Sequence, residues 1–530
     1  MPTESPSTSF TGALATPHSL ATEAGMRAYR EGGNAIDAAI VAAAVLTVVY
    51  PHNVALGGDL IALVRTPDGE IQCVNASGWA GAAVDAAALR ARHGNWLPAR
   101  GADAVTVAGG IRGWEALRRF GARLSWEHTL RAAEATAREG APVAASLASH
   151  IADGENADLY GTADFDRVFR PGGRCLRAGD NFAQPALADT FSALRKGGAD
   201  AFYEGSLAEE SVGYLRSHGS CLTVDDFAAY QPDVVEPISV DFRGLTVLTS
   251  PPNTHGFLLL RALTAVAELD VADPLGDGLG KLLRIFHRGN VLRSSHLADP
   301  RHVDVDVAAL VHNGLDEMAE LGVGQQGPAL VPHGDTVGVA AADGDGYAVS
   351  LIQSVYHAFG SGLIDPATGI LFHNRGTGFS LDDASPNVIA PHKRPAHTLM
   401  PVMTTHQGAT RHVLATMGGQ GQPQILGQVL LRAVDGESAK AAVTAPRAIV
   451  GLQVDGGTTD SVTAESDLPP VAAASISRAG LVSTEVAPHT ESLGQANVVF
   501  IDDSGSMMAA SDPRSDGAAV VAHYPRFTKP

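Results

Sequence analysis

The residues Asp335-Thr336-Val337 pose a chemical question. A threonine hydroxyl is a weak nucleophile and needs a neighbouring base. If the chain is cut just before Thr336, the new α-amine sits beside that residue's own hydroxyl and titrates near neutrality, at about 7.7–8.0. The nucleophile then carries its own base and needs no histidine triad. A β-branched side chain also holds few rotamers, which favours precise placement. Threonine commonly opens strands, so the tripeptide alone carries little weight.

The surrounding elements must position such a group. The stretch Gly322 to Asp335 is polar and Gly-rich with two prolines, and reads as exposed and mobile. After it, Val337 to Ala342 reads as a strand, Asp343-Gly344-Asp345-Gly346 as a turn, and Tyr347 to Ile352 as the partner strand. Thr410 to Met417 and Ala496 to Ile501 read as later strands. In the first half, Leu20 to Glu31 reads as a helix stopped by Gly32-Gly33. Asn34 can cap the next helix, Ala35 to Val49, which is Ala-rich on all sides and so suited to burial between layers. Leu60 to Arg65 reads as a strand followed by a Pro67-Asp68-Gly69 turn. Trp114 to Phe120, Trp126 to Glu139 and Pro185 to Lys196 have helical spacing, and Pro251 to Gly256 reads as a loop between strand and helix. Two sheets between helix layers fit this pattern. Other arrangements of helices and strands fit it as well.

With 530 residues the chain can bury a large core. Its 58 glycines and few aromatic residues suit close packing of helices on sheets. A formal charge of −20 argues against nucleic acid as partner, and any anion site must be built locally. Cys73, Cys175 and Cys221 have no disulfide or zinc spacing and read as small hydrophobic residues. Met1 to Gly12 lacks a basic-then-apolar leader, and Ile36 to Tyr50 is too short for a membrane span. The expectation is a cytoplasmic protein with no membrane or nucleic-acid partner. No metal site or cofactor is expected, since no histidine cluster with carboxylate support stands out.

The order Thr336, Asp345-Gly346, Ser350 to Ser354, Phe359-Gly360-Ser361-Gly362, Asn374, Phe379-Ser380, Lys393-Arg394-Pro395, Gly418-Gly419 and Ser511-Asp512-Pro513-Arg514 resembles the small subunit of γ-glutamyltransferases. Ala15-Thr16-Pro17-His18, Gly32 to Ala39, Pro51-His52 with Gly57-Gly58, and Leu222-Thr223 with Asp226 resemble the large subunit. The resemblance implies an α+β fold, the four-layer αββα sandwich of N-terminal-nucleophile hydrolases. It implies self-cleavage between Asp335 and Thr336, giving residues 1–335 and 336–530 as a heterodimer interleaved in one domain. Thr336 then matches the nucleophile, and Ser354 a hydroxyl that orients it. Gly418 and Gly419 match a pair whose backbone amides form the oxyanion hole, glycine letting them approach without a Cβ in the way.

The chain departs from glutamyl-specific members. Gly378 stands where they carry an acidic residue for the substrate amine. Tyr356 replaces an Asn, Arg375 a Gln, and His397-Thr398 a serine pair. Ala86 aligns with a carboxylate-binding arginine, with Arg90 and Arg92 close by. A buried amine with no counter-charge is costly, whereas Arg suits bidentate carboxylate binding. Tyr356, Arg375, His397 and Thr398 are therefore candidate substrate-binding residues. They point to a small anionic acyl substrate with its carboxylate near the scissile bond, as in oxamate or an oxalyl group, and the pattern resembles an oxamate-amidohydrolase-like subgroup. The alternatives are a γ-glutamyltransferase or glutathione hydrolase, a hydrolase that removes an oxalyl group by C–C cleavage, and a processed but inactive binding protein. Arg375 could instead pair with Asp365 or Asp382, and His397 could be a packed histidine.

Overall fold

The computed structural model describes residues 9–318, 334–451 and 458–525. The reading of Gly322 to Asp335 as exposed and mobile falls almost wholly outside the described residues. A seven-stranded sheet runs in the order Ala518–Pro525, Ser9–Thr16, Gly334–Asp343, Ala348–His357, Asp59–Arg65, Ile71–Ala76 and Asp233–Val235. A six-stranded sheet runs Met507–Ser511, Gln495–Ile501, Ala409–Met417, Val402–His406, Leu245–Thr249 and Ile238–Phe242. Both sheets contain strands from before and from after position 336.

Side chains alternate across each strand, so the central strands have two buried faces. Ala13, Ile61, Leu63, Ala340, Ala342 and Ile352 point toward Met403, Val413, Ala415 and Val499 of the other sheet. The small Ala13, Ala340, Ala342 and Ala415 let the sheets come close. A Cβ at Gly338 would lie 2.6 Å from the Thr416 nitrogen. The opposite face, with Leu14, Leu60, Val337, Val339 and Leu351, packs under the helices Ser19–Arg30, Ala35–Val49, Trp126–Glu139 and Pro185–Gly197. The second sheet is covered by Phe257–Glu268, Leu279–His296 and Gln422–Val434. The result is the four-layer αββα sandwich.

Every residue of Ala35–Val49 is buried, and Asn34 and Asp37 close a capping box at its start. Asp343 accepts from the Ala35 amide at 2.8 Å, tying this helix to the strand that begins at Gly334. The cysteines differ from expectation. Only Cys73 is buried, Cys175 is half-buried and Cys221 is exposed, and none is disulfide-bonded. Among the described residues no helix is long and apolar enough to cross a membrane.

Candidate active site

Strand register brings the first two chemical groups together. Thr336 pairs directly with Ser354 across adjacent antiparallel strands. Both share the face that carries Ala340 and Ile352, the face turned to the second sheet. The Thr336 hydroxyl donates to Ser354 Oγ at 2.9 Å, and Ser354 Oγ donates to the carbonyl oxygen of Asp335 at 2.7 Å. The ladder shifts register between Ser354 and Tyr356. At this bulge Tyr356 adopts φ +82°, a conformation unfavourable for a bulky residue. That turn aims the Tyr356 amide back at Ser354 Oγ, at 2.8 Å. The bulge thus fixes the hydroxyl that faces the Asp335–Thr336 peptide. In the continuous chain Thr336 is 1% exposed.

The loop after Pro51 supports this arrangement. The Val355 amide donates to the Asn53 carbonyl at 3.0 Å, and Asn53 Nδ2 donates to the Thr336 carbonyl at 3.3 Å. Beyond the peptide, the Asp335 carboxylate faces His150 Nε2 at 3.5 Å. His150 Nδ1 faces the Ser146 carbonyl at 2.9 Å, so both ring nitrogens point at acceptors, an arrangement that favours the imidazolium. Burial opposes this charge, but Asp335 and Glu491 outweigh it and lift His150 to about 10. His52 packs on His150 with ring centroids 4.6 Å apart and the planes tilted by 37°, and burial keeps it well below the usual histidine range. His52, His150 and Glu491 bring ligand-type atoms within 4.8 Å of one another. The three are joined by a hydrogen-bond network through Ser146.

Gly418 and Gly419 end the strand Ala409–Met417, whose neighbour in the other sheet is the Thr336 strand. The turn Gly419–Gly421 packs against that strand. Gly418 has φ +141° and Gly419 φ +49°, and a Cβ at Gly418 would lie 2.1 Å from Ile425 Cδ1. Only glycine fits this turn.

Arg375 is 2% exposed and lies over the Tyr356 ring, its Cζ 3.3 Å from the centroid. Its Nη1 donates to Thr398 Oγ1 at 3.3 Å, while Nε has no hydrogen-bond partner. Among the described residues it makes no ion pair, so neither Asp365 nor Asp382 neutralises it. Asp365 instead accepts from Thr368 and the Ala367 amide. Arg90 and Arg92 are engaged elsewhere, with Asp383 and Asp103.

His397 lies deeper. Its Nε2 meets Asp59 Oδ2 at 3.1 Å, and its Nδ1 accepts from the Leu399 amide at 3.2 Å. Burial, then repulsion by Arg375, pulls His397 down to about 4, so the ring is neutral and the proton is on Nε2. Both nitrogens are thus occupied within the protein, and none is left to grip a ligand. Burial would raise the Asp59 carboxyl. His373, His397 and the Gly78 amide hold it below the usual range instead.

Asn53, Asp59, His150 and Arg293 were not singled out from sequence. Asp59 and Asn53 had a local signal, as the residues after the Gly57-Gly58 and Pro51-His52 pairs.

The family model "Gamma-glutamyltranspeptidase" matches residues 21–522. The chain is 35% identical over 522 residues to the oxamate amidohydrolase proenzyme of Klebsiella pneumoniae, covering 96% of this chain and 98% of that protein. It is 33% identical over 528 residues to the glutathione hydrolase-like YwrD proenzyme of Bacillus subtilis, with coverage of 96% and 98%. The structure of a cephalosporin acylase from Bacillus halodurans superposes with a TM-score of 0.88 at 32% identity, covering 97% of this chain and 96% of that one.

Proposed function

The chain belongs to the γ-glutamyltranspeptidase family of N-terminal-nucleophile hydrolases, and from that premise we propose that it cleaves itself before Thr336 and then hydrolyses small anionic acyl compounds through an acyl-threonine intermediate. In the first stage Thr336 Oγ1 attacks the Asp335 carbonyl carbon, whose oxygen accepts the Ser354 hydroxyl. The peptide C–N bond breaks as the amine of Thr336 takes a proton, leaving an ester. Water hydrolyses that ester, giving the Asp335 carboxylate and a free Thr336 amine and hydroxyl. Two chains, 1–335 and 336–530, remain interleaved in one sandwich.

In the second stage the free amine accepts the hydroxyl proton as Oγ1 attacks the substrate carbonyl, and it returns that proton to the leaving group. Gly418 and Gly419, in the turn that packs against the Thr336 strand, supply backbone amides to the oxyanion. Water then releases the acid. Ser354 serves both stages, first polarising the scissile peptide and then orienting the nucleophile.

The observation that carries the substrate class is Arg375. It is buried, has no carboxylate partner among the described residues, and stacks on Tyr356, whose amide holds Ser354. Such a guanidinium calls for an anion, and Thr398 beside it can orient the ligand. His397 supports the site by anchoring Asp59 rather than by touching substrate. The similarity to oxamate amidohydrolase supports the same reading. The test compares purified, processed enzyme on oxamate and on a γ-glutamyl anilide. Turnover of oxamate, with an acyl adduct on Thr336 seen by mass spectrometry using a reactive analogue, is the expected result. Activity on the anilide alone would overturn the substrate class.

A further inference from the structure

A second cation converges on the same space from the other half of the fold. Arg293 lies in the last turn of the helix Leu279–His296. A positive charge suits a helix C-terminus, but this side chain is also tethered. Its Nη2 donates to Gln420 Oε1 at 2.7 Å and its Nη1 to Asn290 Oδ1 at 3.2 Å. Gln420 directly follows the Gly418-Gly419 pair. Like Arg375, Arg293 makes no ion pair among the described residues, and its titratable neighbour is Tyr356. Burial pulls its guanidinium down to about 10. His255, fully buried, neighbours both, its ring kept neutral first by burial and then by the charges of Arg293 and Arg375. Two guanidinium groups thus share Tyr356 and His255 as neighbours; neither forms an ion pair among the described residues, and Asp59 acts on Arg375 only from a distance. A protein of net charge −20 has carboxylates in abundance, and a buried arginine beside a partly buried one, neither in an ion pair among the described residues, marks a ligand site.

We infer that Arg293 is a second anion-binding residue, so that the substrate carries two separated carboxylates. Arg375 holds the one on the acyl group, and Arg293, anchored just beyond the oxyanion glycines, holds the one on the leaving amine. The substrate class is then an N-acylated amino acid whose acyl part is itself a short acid. This rests on the Arg375 reading above.

The experiment measures kcat/KM for N-oxalylglycine and for oxamate on processed wild type, Arg293→Gln, Arg293→Lys and Arg375→Gln. Wild type should prefer the dicarboxylate. Arg293→Gln should reduce that preference by about tenfold or more, the effect of losing one charge-assisted contact. Arg293→Lys should recover part of it, which a merely structural arginine would not do. Arg375→Gln should weaken both substrates together. A wild type without preference for N-oxalylglycine, including one that turns over neither compound, overturns the inference, as does a preference that survives Arg293→Gln. If Arg375→Gln leaves both substrates unaffected while Arg293→Gln still removes the preference, the Arg375 reading fails and the Arg293 site stands alone.

Discussion

A Cβ on Gly378 would lie 2.5 Å from Nη2 of Arg375 and 2.8 Å from the Ala396 carbonyl. The guanidinium occupies the space that a side chain at 378 would fill. The loss of an acidic residue there and the gain of an arginine three positions earlier are therefore one change in packing as well as in charge. An acidic residue could not be restored without displacing Arg375 or pairing with it.

Gly378→Ala should push Arg375 out of place, and Gly378→Asp should also neutralise it. For an oxamate-like substrate the loss from Gly378→Asp should approach that of Arg375→Gln, about 2–5 kcal/mol for a broken charge-assisted pair. Self-processing should survive in all three, because Arg375 does not contact the Asp335–Thr336 peptide. Steady-state kinetics beside a denaturing gel separates the two effects. Full oxamate activity in Gly378→Asp would show that Arg375 does not bind substrate.

The hydrogen-bond chain from Tyr356 through Ser354 to the Asp335 carbonyl sets the expected effects on cleavage. Thr336→Ala should remain a single chain. Ser354→Ala should slow cleavage by about 10²–10³, the usual cost of one lost donor to a developing oxyanion. In the processed enzyme the same substitution should lower kcat more than it changes KM. Time-resolved gels and N-terminal sequencing of the smaller fragment check this. A fragment starting anywhere but Thr336 would remove the basis of the scheme.

Much of the frame was legible because it is written locally. Asn34 announces a capped helix and Ala35 to Val49 shows its buried composition, and the helix has those bounds. Trp126 to Glu139 is likewise the helix its spacing indicates. The strand Ser9–Thr16 was missed because its polar start hides a strand whose partners include Ala518–Pro525, some 500 positions away. The site was legible where motifs name single positions, as at Thr336 and Ser354. It was opaque where function comes from juxtaposition. His397 meets Asp59 across 338 positions, a distance at which sequence carries no pairing signal. The absence of an acid at 378 could be read from sequence, whereas its consequence, room for Arg375, required the three-dimensional packing.

Asp59 ties the floor of the site together, accepting from the Gly78 and Gly109 amides and from His397. Asp59→Asn would place an amide NH₂ among donors. Each buried donor left unsatisfied costs about 1–3 kcal/mol. The expected outcome is a lower denaturation midpoint in the uncleaved Thr336→Ala background. Unchanged stability would mean that the neutral side chain is accommodated without unsatisfied groups.

The His150–Asp335 pair gives a pH dependence with a definite sign. His150 is raised from about 6.5 in the unfolded chain to about 10 in the fold. A raised histidine stabilises the state that binds its proton. That stabilisation is full below about 6.5, shrinks as pH rises toward 10, and is absent above it. The facing groups are Asp335 and Glu491, which favour the charge, and His52, which is neutral. In the uncleaved Thr336→Ala protein, His150→Gln should therefore lower the thermal midpoint most at pH 6 and least above pH 10. Comparing the two proteins at each pH cancels the titration of groups they share. A difference in midpoint that stays constant across this range would show that His150 is neutral in the precursor and that Asp335 is held by other contacts.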